Sequence, residues 1–199
     1  LDVNSLMKGM SLKPIDVLLR RESEAQVACL AQEVAYLWRE VPAPVIAAVH
    51  GVCFGGGLQI ALGADVRFAS PTCKLSVMEA KWGLIPDMSA TVTMRELMGI
   101  DQAKMLTMTG RVMPAADALE YGLVSELAED PEEAAVRHAC ELIAPYATQP
   151  RSALADLKLK LLAERHSLFQ PHNPVSVSPT NSLSGNITSQ DPPALSVSA

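Results

Sequence analysis

The chain has 199 residues, 49% of them hydrophobic, which suffices for one domain with its own core. Its net charge of -6 and pI of about 5.2 exclude a general nucleic-acid-binding surface, although a local basic patch for a phosphorylated small molecule stays open. No apolar run is long and uninterrupted enough to span a membrane, and no signal-peptide pattern opens the chain.

Taken from the N-terminus, the first periodic segment is Ser23 to Glu40. Val27, Leu30, Ala31, Val34, Leu37 and Trp38 recur at helical spacing, Ser23 is a candidate N-cap, and "VPAP" (Val41 to Pro44) stops the helix. Val45 to Val49 is wholly apolar and rich in β-branched residues, which predicts a strand buried on both faces. A glycine triplet follows in "HGVCFGGGLQIALGAD" (His50 to Asp65). Leu58 to Gly63 then reads as a short helix, and Val66 to Ala69 and Lys74 to Val77 as buried strands. Helix, strand, glycine turn, helix and strand in that order predict an α/β layout.

Beyond Ser89 the pattern turns helical. Thr91 to Met98 ends at Gly99, Asp101 to Thr109 at Gly110, and Pro114 to Tyr121 at Gly122. Leu123 to Leu127 is a candidate strand, and Pro131 to Ala144 and Ala153 to Arg165 are candidate helices. From about Phe169 the chain is rich in Ser, Pro, Asn and Thr without periodicity and reads as disordered. Asn186-Ile187-Thr188 in that tail is read as a chance match to a glycosylation sequon. The cysteines (Cys29, Cys53, Cys73 and Cys140) form no CxxC pair and read as small buried residues in a reducing compartment. The cytoplasm is the expected location, or a mitochondrion or peroxisome in a eukaryote.

Why three glycines stand together is the chemical question. The run lacks the Gly-Lys-Ser/Thr ending of a phosphate loop, the third glycine of GxGxxG, and the serine of GxSxG. Two readings remain: a tight strand-to-helix turn with close packing, or a site whose unshielded amides face a developing oxyanion.

Three blocks carry a resemblance. "PVIAAVHGVCFGGGLQIALGADVRFAS", "KLSVMEAKWGLIPD" and "GRVMPAADALEYGLVSEL", in that order, resemble the crotonase superfamily, the enoyl-CoA hydratase/isomerase family. The opening "LDV" resembles the end of the family's upstream Ala-Gly-x-Asp motif, so the family's N-terminal part is expected to lie outside this chain. The resemblance implies an α/β, crotonase-like spiral core of ββα turns with a helical C-terminal region. Residues 1–127 would be the core, 128–167 the C-terminal helices and 168–199 the tail.

The resemblance also implies an acyl-CoA substrate whose thioester carbonyl meets the amides of Gly56 and Leu1. Glu79 matches a catalytic glutamate. The family's second hydratase glutamate falls at Gln59, which cannot exchange a proton in that role, so double-bond isomerisation is expected over hydration. Asp87 matches the aspartate of the dienoyl-CoA isomerases and is a candidate second acid/base. Gly55, Gln59 and Pro86 are expected to line the substrate. No metal or redox cofactor is implied, because coenzyme A enters as part of the substrate, and a homotrimer or hexamer joined through the helices after Thr91 is expected. The rival reading is a non-catalytic acyl-CoA-binding or scaffold homologue.

Bland readings stand beside these. Glu79 could be solvated at a strand end, Asp87 could cap the following helix, and Gln59 could be a helix-surface residue or a donor to water or substrate. Trp38 and Trp82 are expected to pack, His50 to pack or to be hydrogen-bonded rather than to act as a base, and Asp65 and Arg67 to make structural hydrogen bonds. The methionines Met88, Met94, Met98, Met105 and Met108 suit either an acyl pocket or the core.

Overall fold

The computed structural model describes residues 20–21, 23, 26–146 and 152–168. Leu1 and the predicted disordered tail beyond residue 168 lie outside the described residues. Among these, strands β1 (Ile46–Val49), β2 (Val52–Phe54), β3 (Val66–Ala69), β4 (Lys74–Ser76), β5 (Met113–Pro114) and β6 (Glu126–Leu127) form two three-stranded sheets. In the first, β3 lies between β1 and β6 and all pairs are parallel, with Ile46 opposite Val66 and Phe68 opposite Glu126. In the second, β4 pairs parallel with β2, Cys53 opposite Leu75, and antiparallel with β5, Leu75 opposite Met113.

The chain alternates between the sheets. β1 enters the first and β2 the second; helix α2 (Gly56–Ala61) returns the chain to β3 in the first and β4 in the second. Each turn therefore lays one strand on each sheet beside its predecessor, which is an α/β spiral. Backbone bonds tie successive turns, from Ser70 N–H to the Val49 carbonyl and from Lys74 N–H to that of Gly51. The core fills the space between: Leu58, Leu75, Leu106, Met113 and Leu123 are essentially fully buried, each burial contributing roughly 1.5–3 kcal/mol.

Helices α3 (Ala90–Leu97), α4 (Ile100–Thr109) and α5 (Ala115–Glu120) cover this core, with Met94 and Leu106 facing in. Helix α6 (Pro131–Ile143) lies on the first sheet, where Ala134 and Ala135 pack with Phe68 and its ring meets His138 edge-on at 5.4 Å. Asp130 caps α6 by accepting from Glu133 N–H at 2.9 Å. Helix α7 (Ser152–Leu168) is anchored by Lys158, whose ammonium donates to the carbonyls of Trp38 and Ala43 and pairs with Asp65 at 2.6 Å. No helix among the described residues is long and apolar enough to cross a membrane.

The first helix departs from expectation. Helix α1 spans Leu30–Glu40, starting seven residues later than the predicted Ser23, with Cys29 at the N-cap and its N–H donating to Gln32 Oε1. Its apolar stripe (Leu30, Val34, Leu37 and Trp38) faces outward, while Ala35, Tyr36 and Arg39 are buried. Two tertiary demands rotate it. Gly63 approaches so closely that a Cβ there would sit 2.1 Å from the Ala35 carbonyl oxygen, which requires glycine against backbone. Arg39 reaches Glu96 of α3 at 2.8 Å, in an ion pair nearly closed to solvent.

Smaller corrections share one cause, local pattern overridden by what packs nearby. β1 is shorter than the predicted strand and leaves Ala48 exposed. The short β2 went unread because it lies between Gly51 and Gly55. α2 begins at Gly56, two residues earlier than read, since the glycines form its first turn. Cys29, Cys53 and Cys73 are buried as expected, but Cys140 is exposed. Burial, with Cys73 nearby, pushes the Cys53 thiol up to about 12. His50 is exposed, Trp38 is half exposed and Trp82 is two-thirds exposed, so none is a core packing residue.

Candidate active site

The site begins where β2 runs into α2. Gly55 adopts φ +52° and ψ -126°, a conformation open in practice to glycine alone. Its N–H donates to the Ser76 carbonyl at 2.9 Å, which commits that amide to the β4 side of the turn. The next amides, of Gly56 and Gly57, fall in the first turn of α2, where N–H groups have no intrahelical acceptor.

β4 delivers the second wall. After Ser76 the chain enters a 3-10 turn, Glu79–Trp82, that places Glu79 inward with 8% of its surface exposed. The carboxylate stands against the glycine turn: a Cβ on Gly55 would lie 3.3 Å from Glu79 Oε1. Gln59, one turn into α2 and equally buried, donates through Nε2 to that same Oε1 at 2.6 Å. Gln59 Oε1 accepts from the Ala90 N–H, at 3.4 Å, at the start of α3. Glu79 Oε2 is buried and has no hydrogen-bond partner. Burying a polar atom without a partner costs about 1–3 kcal/mol, so this oxygen marks a place where structure is held against stability.

Three of the predicted site residues, Gly55, Gln59 and Glu79, thus come together, with Gly56 next in the chain. The solvated reading of Glu79 is excluded by its burial, and the helix-surface reading of Gln59 likewise. Pro86 is buried in the loop before α3, and Asp87 is exposed beside it. Asp87 does not cap α3, whose N-cap is Ser89 at φ 70°. Leu1 lies outside the described residues. Ala90, whose amide orients Gln59, was missed: a backbone donor leaves no trace in a side-chain pattern.

Asp65 and Arg67 make the expected structural bonds below the site. Asp65 Oδ2 accepts from Val45 N–H at 2.7 Å, and Arg67 donates to the carbonyls of Leu123 and Ala64. Burial pulls the Arg67 guanidinium below its usual range. A separate cavity of about 500 Å³ lies between α1, α3 and α7, and its walls do not include Glu79 or Gln59.

Comparisons with known proteins identify the family. The family profile described as Enoyl-CoA hydratase/isomerase matches residues 14–171, and the chain belongs to that family. A Bos taurus protein, enoyl-CoA hydratase domain-containing protein 2, mitochondrial, is 34% identical over 143 residues, which cover 69% of this chain and 48% of that one. The crystal structure of enoyl-CoA hydratase from Thermoplasma volcanium GSS1 superposes with a TM-score of 0.65 at 25% identity, over 83% of this chain and 60% of that one. A Thermobifida fusca YX structure in complex with acetoacetyl-CoA superposes with a TM-score of 0.60 at 35% identity, over 67% of this chain and 52% of that one. The chain therefore spans about half the length of the relatives it matches.

Proposed function

We propose that the chain acts on an acyl-CoA thioester through an enolate, with Glu79 as the group that moves the proton. The observation that carries this is the Glu79 carboxylate, buried against the Gly55 turn with Oε2 unpartnered. The thioester carbonyl would accept from the Gly56 amide, with Leu1 supplying the second donor; each such donor contributes roughly 3 kcal/mol to the transition state. As charge collects on that oxygen, the α-carbon becomes acidic, its C–H bond breaks, and the proton passes to Glu79 Oε2. The electron pair enters the enolate. With a double bond one carbon further along, returning the proton at the γ-carbon completes an isomerisation that needs one carboxylate. Family membership and the acetoacetyl-CoA held by the Thermobifida fusca relative support the substrate class.

Isomerisation is favoured over hydration because, among the described residues, Glu79 is the one buried carboxylate at the turn and Gln59 has no acidic proton to give. Asp87, on the exposed loop, is the candidate for a second acid/base, which the one-carboxylate step does not require. Gly55 and Pro86 bound the acyl end. Self-association as a trimer is supported by exposed apolar residues on α3 and α4, among them Val92, Ile100 and Met105.

The test is proton exchange at the α-carbon of a saturated acyl-CoA in heavy water, followed by mass spectrometry. Exchange that disappears in Glu79→Gln supports the reading. Tight binding without exchange in the unaltered chain establishes the rival, a non-catalytic acyl-CoA-binding homologue.

A further inference from the structure

We infer that Gln59 is a positioning residue, which grips one oxygen of Glu79 and thereby assigns proton transfer to the other, Oε2. This rests on the proposed role of Glu79, and it changes what Gln59 does: its bonds go to the protein rather than to a substrate.

The argument runs from the backbone outward. The two ends of an amide side chain have opposite hydrogen-bonding character, so what one end meets fixes the other. Gln59 Oε1 faces the Ala90 N–H, a donor that cannot become an acceptor. The Nε2 end is therefore directed at Glu79, where it donates to Oε1 at 2.6 Å, as short as charge-assisted bonds to carboxylates become. Both ends are buried, so water does not compete for either bond. The same Oε1 is hemmed in by Gly55, whose missing Cβ would lie 3.3 Å away. One oxygen is thus held by a donor and walled by a glycine, and the other is buried with no partner.

A carboxylate free to spin presents either oxygen in turn and loses orientation each time. With Oε1 gripped, the carboxyl plane is set, and Oε2 stands oriented before any ligand arrives. Such orientation is worth more in the transition state than in substrate binding. The residue type follows. A hydrocarbon of the same size would leave both Glu79 oxygens and the Ala90 N–H without partners. A glutamate would bring a second carboxylate to hydrogen-bond distance, and the pair could stay together by sharing a proton.

Three versions of the full chain test this by α-proton exchange and acyl-CoA binding: unaltered, Gln59→Met and Gln59→Glu. Thermal unfolding confirms that each is folded. In Gln59→Met the exchange rate at saturation is expected to fall about ten- to hundredfold, as for loss of a bond to a charged group, with acyl-CoA affinity within about threefold. In Gln59→Glu, exchange relative to the unaltered chain is expected to recover as pH falls, because a protonated Glu donates where the amide did; Gln59→Met shows no such recovery. Undiminished exchange in folded Gln59→Met overturns the inference. So does a loss confined to binding, which would make Gln59 a substrate ligand. A Gln59→Glu variant whose relative rate stays low at every pH, or Gln59→Met failing to fold while Gln59→Glu folds with that uniformly low profile, overturns it as well. No exchange in the unaltered chain overturns the proposed function itself, a distinct result.

Discussion

Glu79 and Asp87 are eight residues apart, and both are offered by the sequence as acids, yet they live in different chemical worlds. Glu79 is buried, one oxygen bonded to Gln59 and the other without a partner. Asp87 stands exposed at the end of a loop whose Trp82, Leu84 and Ile85 are also largely exposed. In water a carboxylate makes its bonds to solvent and repeats them in every orientation. Inside the turn it has one orientation and one vacant bonding direction. The difference teaches that an acid is prepared by its surroundings, and that the same residue class a few positions away can lack that preparation.

The largest effect should come from neutralising the prepared acid. Glu79→Gln is expected to lower α-proton exchange by about 10²–10⁴-fold, the range for a positioned acid or base. Its stability in urea should stay level or rise, since the change removes a buried charge while the amide oxygen still accepts from Gln59 and an NH2 takes the unpartnered place of Oε2. A variant that unfolded instead would make Glu79 a structural residue and dissolve the contrast with Asp87.

Next comes the wall that Glu79 leans on. Gly55→Ala should cost about 1–3 kcal/mol in urea unfolding, because φ +52° strains any side chain and the new Cβ crowds Oε1. Gly57→Ala, two residues on, meets no atom within 4 Å and lies in the helix, so it should be neutral or stabilising by about 0.5–1 kcal/mol. Equal costs at both positions would show that the triplet is a flexible tract rather than one special position beside the carboxylate.

Asp87→Asn sharpens the comparison from the other side. Exchange should fall less than about tenfold, with stability within about 0.5 kcal/mol, as for an exposed side chain. A loss matching that of Glu79→Gln would show that bound substrate brings Asp87 into a paired role.

The smallest effects on activity concern thiols that the reaction does not use. Cys140 is exposed and should react first with a thiol reagent, while Cys29, Cys53 and Cys73 wait for unfolding. The Cys53 thiol is held at about 12 in the fold, against 9.0 without burial. The unfolded chain therefore releases this proton at lower pH than the folded one. Stability should be fully present below about pH 9 and fall as pH rises toward 12, by up to about 1.4 kcal/mol per pH unit. A flat alkaline limb in urea titrations would mean that this thiol is less enclosed than its strand position indicates.

Much of this was legible in the sequence. Short runs bounded by turns located β1, β3 and β4, although Ala48 of β1 and Lys74 of β4 are exposed and β4 also pairs antiparallel with β5. The stop signals at Gly110 (φ +56°) and Gly122 (φ +81°) marked ends where the chain turns left-handed, whereas Gly99, at φ -61°, is the N-cap of α4. The family resemblance singled out Gly55, Gln59 and Glu79, which the fold brings into contact, with Gly56 next in the chain. Less legible were β2, hidden between glycines, and the outward face of α1, where the apolar stripe pointed to the wrong side.

What the sequence determined by itself were local and compositional matters: the α/β alternation, the acidic balance and the residue types of the site. Tertiary structure alone decided which way those residues face. The rotation of α1 was set by Gly63 against Ala35 and by Arg39 reaching Glu96, contacts 28 and 57 positions apart in the chain. The orientation of Gln59 was set by a backbone N–H at Ala90, 31 positions away. Periodicity reports which side chains prefer to leave water, and many arrangements satisfy that preference. Hydrogen bonds and close backbone approaches demand particular partners at particular distances, and those exist only once the chain has brought them together.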